Sequence, residues 1–153
     1  MGEEQLACPL TKGERILVAL DGSKYGEKAL DQAISMAKIC NSMLFAVSVV
    51  EGYPTSLDSG LVIKEKIEKD TREYLERIER KVAKENISFE TIVHVGGQPH
   101  EFIVKEAKKR KIDLIVMGTH GRTGLKRIIL GSVAQKVIGY APCSVLVVPA
   151  FPG

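Results

Sequence analysis

Apolar residues in this chain come in two rhythms. Arg15 to Leu20, Met43 to Val50, Asp113 to Gly118 and Cys143 to Val148 are short, nearly unbroken apolar runs bounded by turn residues, the pattern of strands buried on both faces. Ser88 to Val95 alternates instead, which predicts a strand with one exposed face at a sheet edge. Between these runs the period changes to three or four. From Ser23 to about Asn41 the stripe is Ala29, Ala33, Met36, Ala37 and Cys40, widened by Leu30 and Ile34. From about Leu61 to Glu85 it is Ile67, Leu75, Ile78 and Val82, with Glu68–Arg72, Glu73–Arg77 and Glu76–Arg80 placed as i,i+4 pairs on a solvated face. Pro99 suits a first helical turn and opens a third helix containing Ile103, Val104 and Ala107. A fourth runs from Gly131 to Tyr140.

The resulting order, β-α-β-α-β-α-β-α-β, calls for a parallel sheet with helices on both faces and right-handed crossovers, a doubly wound α/β fold. The 153 residues suffice for one domain. Residues 1–13 read as a tail and 14–150 as the domain, with no linker or internal repeat. The apolar strand from Val145 to Val148 is expected at a sheet edge, where an open backbone invites pairing with a second copy.

Composition removes several function classes. The 22 basic and 19 acidic side chains nearly cancel to +3, without a basic block long enough to follow a nucleic-acid backbone. The segment MGEEQLACPLTKG has no apolar run, so neither a signal peptide nor a membrane span is expected, and the location is read as cytoplasmic. Leu6 stands where a myristoylation signal needs Ser or Thr, and Asn86-Ile87-Ser88 is a glycosylation acceptor only in secreted chains. Cys8, Cys40 and Cys143 have no C-x-x-C spacing and are expected as reduced thiols, the last two as packing residues. His94 and His100 lack metal-site spacing, so no structural zinc is expected.

In an open parallel sheet ligands bind beyond the carboxyl ends of the strands, where strand order reverses, here between the first and fourth strands. Two unusual loops fall there. Asp21-Gly22-Ser23 offers a carboxylate to ribose hydroxyls or to a phosphate-bound metal, while Asp21 and Ser23 as simple helix caps is the blander reading. Gly118-Thr-His-Gly121-Arg-Thr-Gly124 and the following Gly131-Ser132 bring glycine backbone and a helix start to one place, which suits anionic oxygens. It is neither a P-loop nor the dinucleotide fingerprint.

The spacing Gly118-x2-Gly121-x9-Gly131-Ser132 resembles the ATP-binding signature of the universal stress protein family. The resemblance runs from Arg15 to Val148 and takes in Asp21-Gly22-Ser23, Val95-Gly-Gly-Gln-Pro99 and the closing Pro142-Cys-Ser-Val-Leu-Val-Val148. It implies five strands in the order 3-2-1-4-5, a Rossmann-like fold akin to the adenine nucleotide α-hydrolases, and ATP (or AMP or ADP) at the switch point with Mg or Mn on its phosphates. It places Asp21 on the ribose, the backbone of Val49 on adenine, Gly118 and Gly121 on ribose and phosphate, and Gly131, Ser132 and Val133 on the phosphates. It also implies a homodimer through the last strand. A branch of that family lacks the glycines and binds no ATP; this chain keeps them.

Of the nearby side chains, Arg122 is the better candidate for phosphate charge, and Lys126 and Arg127 read equally as solvated residues. His120 is expected as an exposed loop residue with a minor role. Three functions stay open. The first is an ATP-binding stress-response or regulatory protein with at most slow hydrolysis. The others are a nucleotidyl transferase or adenosine-phosphate hydrolase, and a ligand-free dimerisation module.

Overall fold

The computed structural model describes residues 7–50, 59–121 and 130–149, with backbone alone for 59–62. The elements follow the order β1 (Arg15–Leu20), α1 (Lys24–Cys40), β2 (Met43–Val50), α2 (Ser59–Ala83), β3 (Phe89–Val95), α3 (Pro99–Lys109), β4 (Leu114–Gly118), α4 (Ser132–Tyr140) and β5 (Ser144–Val148). The strands pair in parallel in the order β3-β2-β1-β4-β5. The chain steps outward from β1 to β3, then returns to the other side of β1 for β4 and β5. The reversal therefore opens a crevice at the carboxyl ends of β1 and β4.

The apolar runs are continuous because both sheet faces are covered. Ile16, Val18, Leu20, Leu44, Ala46, Leu114 and Val116 pack against α1 and α2. Leu17, Phe45, Val47, Ile115 and Met117 pack against α3 and α4. Each fully buried large side chain contributes roughly 1.5–3 kcal/mol relative to exposure. The inner face of α1 carries Ala29, Ala33 and Ala37, all essentially buried, and their small size lets the helix lie close over β1 and β4. At the two edges burial falls. Val93 and Val95 of β3 are 47% and 48% exposed, and Val145–Val148 of β5 are half-buried.

Two expectations need correction. On α2 the i,i+4 pairs among the described residues are Lys64–Glu68 at 3.9 Å and Lys69–Glu73 at 3.8 Å, not the three Glu–Arg pairs. Arg77 instead lies over the Tyr74 ring, 5.5 Å from its centroid. Exposed pairs of either kind are worth so little that packing of the arginine stems decides the geometry. The cysteines are the second. Cys8 and Cys40 form a disulfide across 32 positions, leaving Cys143 free. Their spacing carries no signal because the pairing depends on residues 8–13 folding back over the end of α1.

Candidate functional site

At the end of β1 the chain turns through Asp21, Gly22 and Ser23. Gly22 has φ +82°, a conformation that costs glycine nothing and a branched residue much. This turn lets Asp21 Oδ1 accept from the Ser23 N–H at 2.9 Å, and Ser23 Oγ accept from the Gly26 N–H at 3.3 Å. Ser23 is thus the N-cap of α1, as the blander reading had it. Asp21 serves the turn through Oδ1 and reaches the crevice through Oδ2, which lies 2.9 Å from where a Cβ on Gly121 would stand.

The signature glycines are required by close approach rather than by dihedral freedom. A Cβ on Gly118 would lie 2.7 Å from Cβ of Tyr25, and one on Gly131 would lie 3.0 Å from the Thr119 carbonyl oxygen. Gly131 adopts φ −59°, accessible to any residue. Its N–H donates to the Thr119 carbonyl at 2.7 Å, so the end of β4 and the start of α4 meet at a neck. Gly131 is the N-cap of α4 and, being glycine, has no side chain with which to cap it. The Ser132 hydroxyl is exposed, whereas the Val133 side chain packs into the core with Leu130. What Val133 offers the crevice is therefore its N–H. First-turn N–H groups and the helix dipole together favour an anion.

Val49 is placed by register. β1 pairs with β2 from Arg15–Met43 to Leu20–Ser48, so one further step sets Val49 beside Asp21. Arg122, Lys126 and Arg127 lie outside the described residues.

His120 departs from the exposed position expected of it. Its Nδ1 is 3.1 Å from Thr119 Oγ1, its ring centroid is 5.3 Å from that of Tyr25, and its Nε2 is buried without a partner among the described residues. Tyr74 was missed altogether, because beside Leu75 and Ile78 it reads as one more core position of α2. It is 9% exposed, and its hydroxyl oxygen is buried close to the Gly22 backbone. Burial first, then the Glu27 and Asp21 carboxylates, push its pKa up to about 12, against the opposing influence of Arg77 and the Gly22 backbone. Tyr74 therefore stays a neutral hydroxyl underneath the Asp21–Gly22 turn.

A separate cleft of about 420 Å³ lies between α2 and β3, lined by residues including Val50, Thr71, Leu75, Val93 and Val95. The crevice, by contrast, is where a carboxylate, three close-packed glycines and the start of α4 converge. Among the described residues no group of three His, Cys, Asp or Glu side chains is placed to hold a metal ion by itself.

The universal stress protein family model matches residues 13–149. Universal stress protein MJ0531 of Methanocaldococcus jannaschii is 38% identical over 140 residues, spanning 88% of this chain and 81% of that one. Universal stress protein YxiE of Bacillus subtilis is 35% identical over 145 residues, spanning 88% and 97%. The chain belongs to the universal stress protein family. Among solved structures, the MJ0577 protein of Methanocaldococcus jannaschii superposes with a TM-score of 0.79 at 30% identity, covering 92% of this chain and 98% of that one. A universal stress protein solved in complex with cAMP does so with a TM-score of 0.66 at 25% identity, covering 92% and 100%. The sheet order and the four helices are those of this family.

Proposed function

We propose that this chain is a stress-response regulatory protein that binds an adenine nucleotide, ATP foremost, in the crevice between β1 and β4. The observation that carries this reading is the glycine start of α4 at Gly131, held by the Thr119 carbonyl across from Asp21. The N–H groups of Ser132 and Val133 would take the phosphates, Asp21 the ribose, and the Val49 backbone the adenine edge. Gly118 and Gly121 leave room for ribose and phosphate, and Arg122 adds phosphate charge. A relative solved with cAMP supports the adenine preference. With one carboxylate in the described part of the crevice, Mg or Mn would be held mainly by the phosphates themselves, with Asp21 as the protein's contribution. Such an ion would supply charge neutralisation.

Turnover is expected to be slow at most. His120 is the histidine of the crevice, and no nucleophile–base pair accompanies it among the described residues. The domain is taken as residues 14–150, cytoplasmic, and paired as a homodimer along Val145–Val148 of β5.

The test uses Ser132→Pro. Proline at the first helical position preserves α4, and Gly131 at φ −59°, ψ 152° already has the extended conformation that a following proline demands. The substitution removes one N–H and one hydroxyl from the crevice. Protein stripped of endogenous ligand is titrated with ATP, ADP and AMP in magnesium by calorimetry. The expected result is binding by the wild type and about a tenfold loss in the variant for ATP, shrinking towards AMP, since a charged hydrogen bond is worth about 1.5 kcal/mol or more. Failure of the stripped wild type to bind any of the three would reject the reading.

A further inference from the structure

Residues 8–13 have no regular secondary structure, yet they are fastened to the domain. The Cys8–Cys40 disulfide ties them to the last residue of α1. Leu10 packs against the core cluster beneath α1 and α2. The Gly13 carbonyl accepts from the Ser42 hydroxyl. Gly13 itself has no room for a side chain, since its Cβ would lie 2.9 Å from Cys8 Sγ and 3.2 Å from Cβ of Cys40. Both cysteines are only half-buried, with exposed Ala7, Pro9 and Ile39 beside them, so a small thiolate can reach the bond. The third cysteine differs. Burial pushes the Cys143 thiol up, although the Ile115 backbone opposes the change, and this keeps it protonated and slow to react.

We propose that Cys8 and Cys40 form a reversible thiol–disulfide site whose redox state decides whether the N-terminal segment is held on the domain or released from it. Oxidation by a low-molecular-weight disulfide proceeds in two exchanges. A thiolate of one cysteine attacks the disulfide and expels one thiol, giving a mixed disulfide; the second cysteine then displaces the other thiol. One disulfide is consumed, two thiols are produced, and the two cysteine protons end on the released thiols. A dithiol runs the sequence in reverse and is itself left as a disulfide.

The consequence is a change of both order and stability. The bond closes a loop across 32 positions, and its loss frees the denatured chain, lowering Tm by about 5–10 °C for a domain of this size. In the folded state Leu10 and the half-buried Gly13 lose their covalent anchor, which opens the bond after exposed Lys12 to protease. The pair lies at the end of α1 opposite its Ser23 cap, so the device does not depend on the nucleotide reading.

The experiment compares full-length protein equilibrated in oxidised glutathione or in dithiothreitol. It records iodoacetamide labelling of each cysteine in the folded protein, the rate of tryptic cleavage after Lys12 by intact mass, and Tm. In the oxidised buffer Cys8 and Cys40 are expected to be linked and unlabelled, with cleavage after Lys12 at least fivefold slower than in dithiothreitol and the higher Tm. Cys8→Ser should behave as reduced in both buffers, and Cys143→Ser as the wild type. Labelling of Cys8 and Cys40 in the oxidised buffer would overturn the proposal. So would equal cleavage rates in the two buffers, or a bond that dithiothreitol leaves intact in the folded protein.

Discussion

The amino and carboxyl ends of the sheet are built on opposite terms. At the amino end, backbone donors are met by fixed partners: Asp113 Oδ2 accepts from the N–H groups of Glu14 and Arg15, each at 3.0 Å, and the Arg15 guanidinium donates to the Arg110 carbonyl at 2.7 Å. The Met43 N–H donates to the Glu14 carbonyl at 2.8 Å, and the Cys8–Cys40 bond lies at the same end. At the carboxyl end, glycines are jammed against neighbouring atoms, α4 begins at a glycine that has no side chain to cap it, and His120 Nε2 is buried without a partner among the described residues. Unmet polar groups are costly in a folded protein. Among the described residues the two ends therefore differ in how fully their polar groups are met by the protein itself.

The division can be broken or sharpened by substitution. The largest effect is expected from Asp113→Ala, which strips two donors at the amino end of a charged acceptor. It should lose about 2–3 kcal/mol in urea unfolding and leave nucleotide affinity within twofold. Gly121→Ala acts at the other end by pressing on the Asp21 carboxylate. About a tenfold weaker nucleotide affinity is expected by calorimetry, with under 1 kcal/mol of stability lost, because a side-chain carboxylate can shift. Ser23→Ala tests the boundary, since its hydroxyl caps α1 inside the crevice. A loss of about 1 kcal/mol in unfolding free energy is expected, with little change in binding. If affinity falls tenfold instead, Ser23 belongs with the ligand contacts.

The smallest effect at neutral pH is that of Tyr74→Phe. A tyrosine whose folded pKa is raised from 10.0 to about 12 keeps its proton in the folded state after the unfolded chain has lost it. Wild-type stability is therefore unaffected by this group below pH 10 and declines as pH rises from 10 towards 12. In Tyr74→Phe that part of the decline should disappear from an alkaline denaturation series.

The strands and helices were legible because a sheet covered on both faces demands unbroken apolar runs, and only β3, with Thr91, Val93 and Val95 on its more open side, alternates. The Gly118, Gly121 and Gly131 spacing located the crevice, although it did not show that Tyr25, Asp21 and Thr119 are the atoms each glycine must clear. Tyr74 gave no sign of its place because a hydroxyl under the Asp21 turn and a core aromatic share one helical position. The Cys8–Cys40 pairing was hidden for a different reason. It joins a segment without periodicity to a helix end, and only the return path of the chain brings them together.

The hydrogen bond between Gly131 and Thr119 also makes the seating of α4 independent of side chains at that point. Because both partners are backbone atoms, drawn together at 2.7 Å, substitution of the Thr119 side chain leaves them in place. The placement of α4 against β4 is set at the closure. The crevice can therefore keep its position while the side chains around it vary.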